Sequence, residues 1–345
     1  MRAANASNFY RSARARTASR RICATALAKR VLTGLCLPLV ALTLFETARA
    51  DTASADIPYD DTNVYPESIS AARDGTIYSG SIKGIIFRAK PGSGKAVPWI
   101  KPSAENGLLG VFGVLVDERR KTLWVCSAGN NLRNPPAVGD SSLMSFDLAS
   151  GKRTGNYTFP KSASAPAPVC NDITVARDGT VFASDTPGGR ILKLAKGATT
   201  LEVFADDPRL KGIDGIVLSE DGVLYLNIVT KGQLLRVDRK PDGSLGGLTE
   251  LAVSDKLGGP DGFRLIHGKT FLLAEGTSGK IDQVTIDGDR ATVKVLREGL
   301  ISPPAVTLVG HTAYAAEGKI TYLIDPKLKG QDPGPFRILA IPLGR

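Results

Sequence analysis

The chain has 345 residues, with 44 Lys and Arg against 34 Asp and Glu, for a net charge of +10. Residues 1–50 hold nine of those bases and one acid, a charge of +8, and the remaining 295 residues hold 35 bases and 33 acids, a charge of +2. Beyond residue 50 no long basic stripe is left to follow a phosphate backbone, which excludes nucleic acid as the expected partner.

In chain order, Met1–Arg30 is rich in Arg, Val31–Phe45 is an apolar run too short for a membrane span, and Ala48-Arg49-Ala50 is a small-x-small cleavage site. Residues 1–50 are therefore expected to be an export signal and 51–345 a single mature domain, periplasmic or secreted, with no stable membrane insertion after cleavage. An uncleaved membrane anchor is the alternative. Arg20-Arg21 hints at a twin-arginine route, but Lys29 and Arg30 break the run after it, and Leu35 before Cys36 does not suit a lipoprotein site. Cys23 and Cys36 leave with the signal. Cys126 and Cys170 remain, a disulfide candidate in an oxidising compartment.

From Pro66 onward one pattern recurs six times, beginning at Pro66, Phe112, Cys170, Ile213, Pro260 and Pro303. An alternating apolar run leads to a turn, often Asp-Gly, and then at once to a second strand, often Thr-apolar-aromatic. A third apolar strand comes after a Gly-rich turn. Short β-rich runs with this turn chemistry read as antiparallel strands, and no amphipathic helical stretch of useful length interrupts them. Six units of about four strands predict an all-β fold, a six-bladed β-propeller with four-stranded antiparallel blades. Two stacked β-sandwiches are the alternative, which would not explain the even period. FRILAIPL near the C-terminus is the expected outer strand of the last blade. Pro-, Ser- and Asn-rich loops from Asn130 and from Lys161 are expected over one face.

When the six copies are aligned, one position near the start of each first strand carries Glu67, Gly113 (or Phe112 with one extra residue), Asn171, Asp214, Asp261 and Pro303. First strands line a propeller's channel, so this position forms a ring. Four of the six residues are oxygen donors and three are carboxylates. Three carboxylates in one small ring repel unless a cation sits between them. Such hard oxygen ligands suit a divalent metal, Ca²⁺ first among Ca²⁺, Mg²⁺, Mn²⁺ and Zn²⁺. The other reading of Asp214-Gly215 and Asp261-Gly262 is as ordinary turns, since Asp-Gly also occurs at Asp74, Asp178 and Asp221.

On these residues the chain resembles the SMP-30/gluconolactonase family, and more distantly paraoxonase and diisopropyl fluorophosphatase. The family's early Glu matches Glu67 in PESI, its Asn-Asp motif Asn171-Asp172, its later Asn position Asp214 in IDGI, and its Pro-Asp-Gly motif Pro260-Asp261-Gly262. The resemblance implies a six-bladed propeller with a divalent metal in its channel, held by Glu67, Asn171, Asp214 and Asp261. It also implies that Asp261 is the catalytic residue, as base or water positioner. Asp214 departs from the family, where an amide is commoner, and makes the ring one charge more negative.

The second strands run back to the same mouth and end at Cys126, Asp185, Asn227, Glu275 and Glu317, an expected outer shell around the ligands. Asn130, Asn131 and Arg133 are expected to reach over the mouth and bind substrate. His267 and His311 fall in turns at the opposite end, which argues against a Ser-His-Asp triad or a histidine-ligated zinc. PGSGKA from Pro91 lacks the spacing of a phosphate loop and lies between strands. Trp99 and Trp124 read as packing residues.

The expected function is a metal-dependent hydrolase acting on a small-molecule lactone or related ester. The alternative is a non-catalytic periplasmic propeller that binds a ligand or protein partner through a structural metal. Cys126 and Cys170 are expected to lie at the same mouth on neighbouring blades and to form a disulfide worth roughly 4 kcal/mol by chain entropy, two buried free thiols being the other possibility.

Overall fold

The computed structural model describes residues 55–129, 138–161 and 166–344. The expected signal (1–50) and the expected substrate residues Asn130, Asn131 and Arg133 lie outside these.

Six sheets form the fold; five are built on four antiparallel strands that follow one another in the chain and in space, and the sixth joins the first strand of the domain to its last three. Their innermost strands are Pro66–Ala71, Gly110–Asp117, Cys170–Val175, Ile213–Leu218, Pro260–His267 and Ala305–Val309, which we call blades 1 to 6. The second strands are almost wholly buried, Ile77–Ser81, Val181–Asp185 and Leu224–Ile228 along their whole length, because each is covered on both faces by neighbouring blades. Fourth strands such as Arg153–Thr158 and Arg290–Arg297 are largely exposed. Apolar residues gather into six clusters, one per blade-to-blade interface, so no single central core exists. The Ile77, Phe87 and Phe336 cluster joins blades 1 and 6; the Phe182, Ile213 and Leu226 cluster joins blades 3 and 4.

Ring closure departs from the expectation. Arg337–Pro342, the FRILAIPL segment, is the third strand of blade 6, and the fourth is Ile57–Pro58 from the start of the propeller. Ile57 pairs with Ile338 and Pro58 with Arg337. Blade 6 thus combines both ends of the domain, which the local repeat pattern cannot show. Blade 5 carries a further short parallel strand, Ala252–Val253, on its outer edge.

One irregularity recurs and places the channel residues. In blades 2 to 5 the first two strands lose register between Val111 and Gly113, Cys170 and Ile173, Ile213 and Ile216, and Pro260 and Phe263, and in blade 1 between Pro66 and Ser68. Each is a β-bulge, which inserts a residue and re-aims a side chain. The inserted residues are Glu67, Phe112, Asn171, Asp214 and Asp261, so blade 2 presents Phe112 to the ring and not Gly113. The paired strands of blade 6 show no such shift, and Pro303 lies just before them.

Candidate active site

The residue after each bulge explains the glycines of the repeat. A Cβ on Gly113 would lie 2.2 Å from the Asn171 carbonyl oxygen, one on Gly215 2.2 Å from that of Asp261, and one on Gly262 2.7 Å from that of Pro304. Adjacent inner strands approach so closely near the axis that only a hydrogen fits between them. Blade 3 has Asp172 at this position instead, and its side chain is buried. Arg264 donates to it through both guanidinium nitrogens at 2.7 and 2.8 Å, and the Ile216 amide donates at 3.0 Å.

The structure brings Glu67, Asn171, Asp214 and Asp261 together. Asn171 donates its amide nitrogen to Asp214 Oδ2 at 2.9 Å and to Thr186 Oγ1 at 2.9 Å, which leaves its carbonyl oxygen available as a ligand. Asp214 is buried, while Glu67, Asn171 and Asp261 keep partial access to solvent. Burial pushes the Glu67 carboxyl up to about 8, with the charge of Asp214 adding to the shift. Burial likewise raises Asp214 to about 7, although a hydrogen bond with Asp261 opposes it. Asp261 is raised well above its ordinary value by burial, then by the charges of Asp214 and Glu67. Ionisation of any one of the three carboxyls is thus opposed by burial and by its neighbours.

This donor set fits a hard dication. Three carboxylates that ionise only when their repulsion is relieved, with one amide oxygen beside them, are the ligand chemistry of Ca²⁺. Among the described residues no three acidic, histidine or cysteine side chains already close on a common point as an ion cage. The fit therefore rests on the donor types and their mutual repulsion.

The expected outer shell divides in two. Asn227 belongs to the site: it is fully buried, accepts from the Gly215 amide at 3.1 Å and donates to the Asp261 carbonyl at 2.5 Å. Asp185, by contrast, is committed to a buried ion pair with Arg190 (2.6 Å) and accepts from the Val169 amide. Glu275 accepts from the Gly258 amide and from Ser278 Oγ, and it lies against the buried Asp282. Glu317 accepts from the Ile301 amide at 2.9 Å. These three brace turns. Asp185 and Glu275 pair with Cys170 and Pro260, the residues before the bulges, whereas Asn227 sits one residue earlier, opposite a bulge.

Two participants escaped the sequence reading. Ser184 occupies in blade 3 the place of Asn227 in blade 4: it accepts from the Asp172 amide at 2.9 Å and donates to the Asp214 carbonyl at 2.8 Å. Arg264 was legible as a lone charge inside the apolar run of PDGFRLIH, the mark of a buried partner. Cys126 and Cys170 are fully buried and disulfide-bonded, with Cα atoms 5.0 Å apart, as expected.

The far mouth is different. A cavity of about 860 Å³ opens between the hairpin turns there, lined by arginines such as Arg73, Arg119 and Arg177 together with Glu118, Asp178 and Asp221, and reaching inward to Arg264. It lacks the ring of acids and amide, and the site chemistry lies at the other end. His267 and His311 sit among these turns.

No family model matches the chain, and no curated protein matches it in sequence. Solved structures do. The gluconolactonase of Xanthomonas campestris has a TM-score of 0.60 at 16% identity, over 85% of this chain and 99% of that one. A calcium-binding regucalcin from Agrobacterium tumefaciens has a TM-score of 0.59 at 17% identity, over 85% of this chain and 96% of that one. Virginiamycin B lyase from Staphylococcus aureus has a TM-score of 0.54 at 13% identity, over 83% and 98%. At these identities the shared property is the fold, the six-bladed propeller of gluconolactonase and regucalcin structures.

Proposed function

We propose that the protein is an exported, cation-dependent hydrolase of a lactone or related ester. The observation that carries this reading is the bulge ring: four blades aim Glu67, Asn171, Asp214 and Asp261 into one channel mouth, where three carboxyls repel. Glu67, Asn171, Asp214 and Asp261 would hold the ion, Ca²⁺ before other dications. A bound dication polarises an ester carbonyl and stabilises the oxyanion that develops on it. Asp261 is the base in this reading. It is open to the channel where Asp214 is buried, and once the ring's charge is neutralised its carboxylate can accept a proton from water. Phe112 and Pro303 complete the ring without donors and leave an apolar wall for a substrate ring.

The fold likeness to a gluconolactonase supports a lactone as substrate. Export rests on the features of residues 1–50, and the buried disulfide is in keeping with an oxidising compartment. The test is a metal analysis of the purified protein, and then a panel of sugar and aliphatic lactones with added Ca²⁺ and with chelator. Stoichiometric metal and chelator-sensitive turnover are expected. Metal binding with no turnover across the panel would favour a ligand- or protein-binding propeller, and absence of any metal binding would overturn the ring.

A further inference from the structure

The second strand of each blade offers one side chain opposite the bulge, in the gap toward the next blade. In register these positions are Gly80, Cys126, Ser184, Asn227 and Ala274 for blades 1 to 5. In blade 1 the gap is filled by Val111, whose Cγ1 would lie 2.3 Å from a Cβ on Gly80. After blade 5 it is spanned by backbone, the Gly262 amide donating to the Pro304 carbonyl at 2.8 Å. Between these lie three side-chain ties, one for each consecutive ring residue. Ser184 reaches from blade 3 to the carbonyl of Asp214, and Asn227 from blade 4 to the carbonyl of Asp261. Cys126, the equivalent side chain of blade 2, bonds to Cys170, the residue directly before Asn171. Resting on the ring being a cation site, we propose that the Cys126–Cys170 bridge is a positioning element for Asn171. It is the covalent member of a belt whose hydrogen-bonded members, Ser184 and Asn227, place Asp214 and Asp261.

The placement explains why a covalent tie stands here. A Cβ on Gly113 would meet both the Asn171 carbonyl oxygen, at 2.2 Å, and Cys126 Cβ, at 3.2 Å, so the two blades touch backbone to backbone beside the bridge. The segment between the two cysteines makes up most of the longest interval of the repeat, which runs from Phe112 to Cys170, and blade 3 starts only after it. Ser184 and Asn227 tie blades joined by shorter connections. Asn171 in turn holds Asp214 through its amide nitrogen, so its position is transmitted to the next ligand. Residues that orient ligands in this way typically change metal affinity by about 10–100-fold when removed.

The test compares three forms of the full mature chain: wild type, C126A/C170A and C126S/C170A. The last places a hydroxyl where Ser184 has one, able to donate to the Asn171 carbonyl as Ser184 donates to that of Asp214. With Ca²⁺ alone in a calorimetric titration, C126A/C170A is expected to bind about tenfold or more weakly than wild type, and C126S/C170A to recover most of the loss. Hydrogen–deuterium exchange without metal reads the geometry by itself. Exchange around Cys170–Ile173 should quicken in the double alanine and return toward wild type with the serine. Wild-type affinity and exchange in folded C126A/C170A would overturn the positioning role. If the double alanine does not fold, C126S/C170A decides, and a tenfold loss of affinity there with fast exchange would overturn the equivalence to Ser184. Wild type that takes up no Ca²⁺ overturns the ring, while the exchange data still judge the tie between the blades.

Discussion

At Asp214 a buried carboxyl accepts from the Asn171 amide beside the acids Asp261 and Glu67, and Asn would keep that bond with one charge fewer. Asp214→Asn should therefore raise the melting temperature of the metal-free protein by about 2 °C or more, as relief of about 1 kcal/mol would. Its Ca²⁺ affinity should fall about tenfold. Calorimetry in chelator and a Ca²⁺ titration check both, and a lower metal-free melting temperature would count against crowding in the ring. A second acid pair gives a pH test away from the ring. Asp282 is fully buried, neither oxygen has a hydrogen-bond donor among the described residues, and it lies against Glu275. Burial first, and Glu275 second, push its carboxyl from 3.8 up to about 8. For Glu275 burial works against ionisation but is outweighed by the neighbouring Asp282 and by hydrogen bonds from the Gly258 amide and Ser278, so of the two carboxyls Asp282 is the one held protonated over the wider pH range. A raised carboxyl favours folding fully below about pH 4, and that contribution is lost as pH climbs through about 8. Asp282→Asn should accordingly lose less stability than wild type between about pH 4 and about pH 8 in denaturant melts; parallel curves would reject the raised Asp282 carboxyl. The sequence displayed Glu67, Asn171, Asp214 and Asp261 because the repeat keeps them in register. It hid the duties of Asp185 and Glu275, which are set by Arg190, Gly258 and Asp282 across strands.

The bulge decides what a strand presents to the channel, and it is nearly invisible in an alternating pattern because one extra residue resembles a turn. That is why Phe112 and Gly113 competed for the same position, and why Asn227 was grouped with Asp185 and Glu275 although it stands one residue away in register. The glycine after the bulge is the legible half of the device. Gly215 has no positive φ and is required by contact alone: an added Cβ would lie 2.2 Å from the Asp261 carbonyl oxygen and 2.6 Å from Asn227 Nδ2. Gly215→Ala should destabilise by about 1–3 kcal/mol through overpacking and should weaken Ca²⁺ binding by displacing Asp261. Gly247→Ala, in an outer strand with nothing within 4 Å of the added carbon, is the matched control and should leave both unchanged. Equal melting temperatures for the two variants would contradict the close approach of blades 4 and 5.

At the scale of the whole ring, six copies of one pattern gave the blade count from sequence, but closure joins residues nearly the full domain apart and leaves no local trace. The start of the domain is stitched to two blades at once. Ile57 and Pro58 pair with Ile338 and Arg337 of blade 6, and the Tyr59 amide donates to the Phe336 carbonyl at 3.2 Å. On the other side the Tyr59 hydroxyl is bonded to Ser79 of blade 1 at 2.7 Å, and the Ala96 amide donates to the Pro58 carbonyl at 2.9 Å. Cleavage after Ala50 would spare this seam, since the closing strand begins at Ile57. A mature chain beginning at Asp51, found by N-terminal sequencing of protein from the envelope fraction, should therefore melt cooperatively. A chain shortened to begin at Asn63 keeps every other strand and loses the closing one together with Tyr59, which is buried against Phe87. Removal of a buried aromatic side chain costs about 3–5 kcal/mol, so its melting temperature should lie roughly 5–10 °C below that of the mature form. Blade 6 is then held to blade 1 without the closing strand, chiefly by packing such as that of Ile69 and Ile77 in the cluster with Ala305 and Ala316, and Glu67, on the blade beside the seam, should lose its register with Asp214 and Asp261. Ca²⁺ affinity is expected to fall along with stability. Matching melts and matching affinity in the two chains would show that the seam at Ile57–Tyr59 does not hold the ring closed.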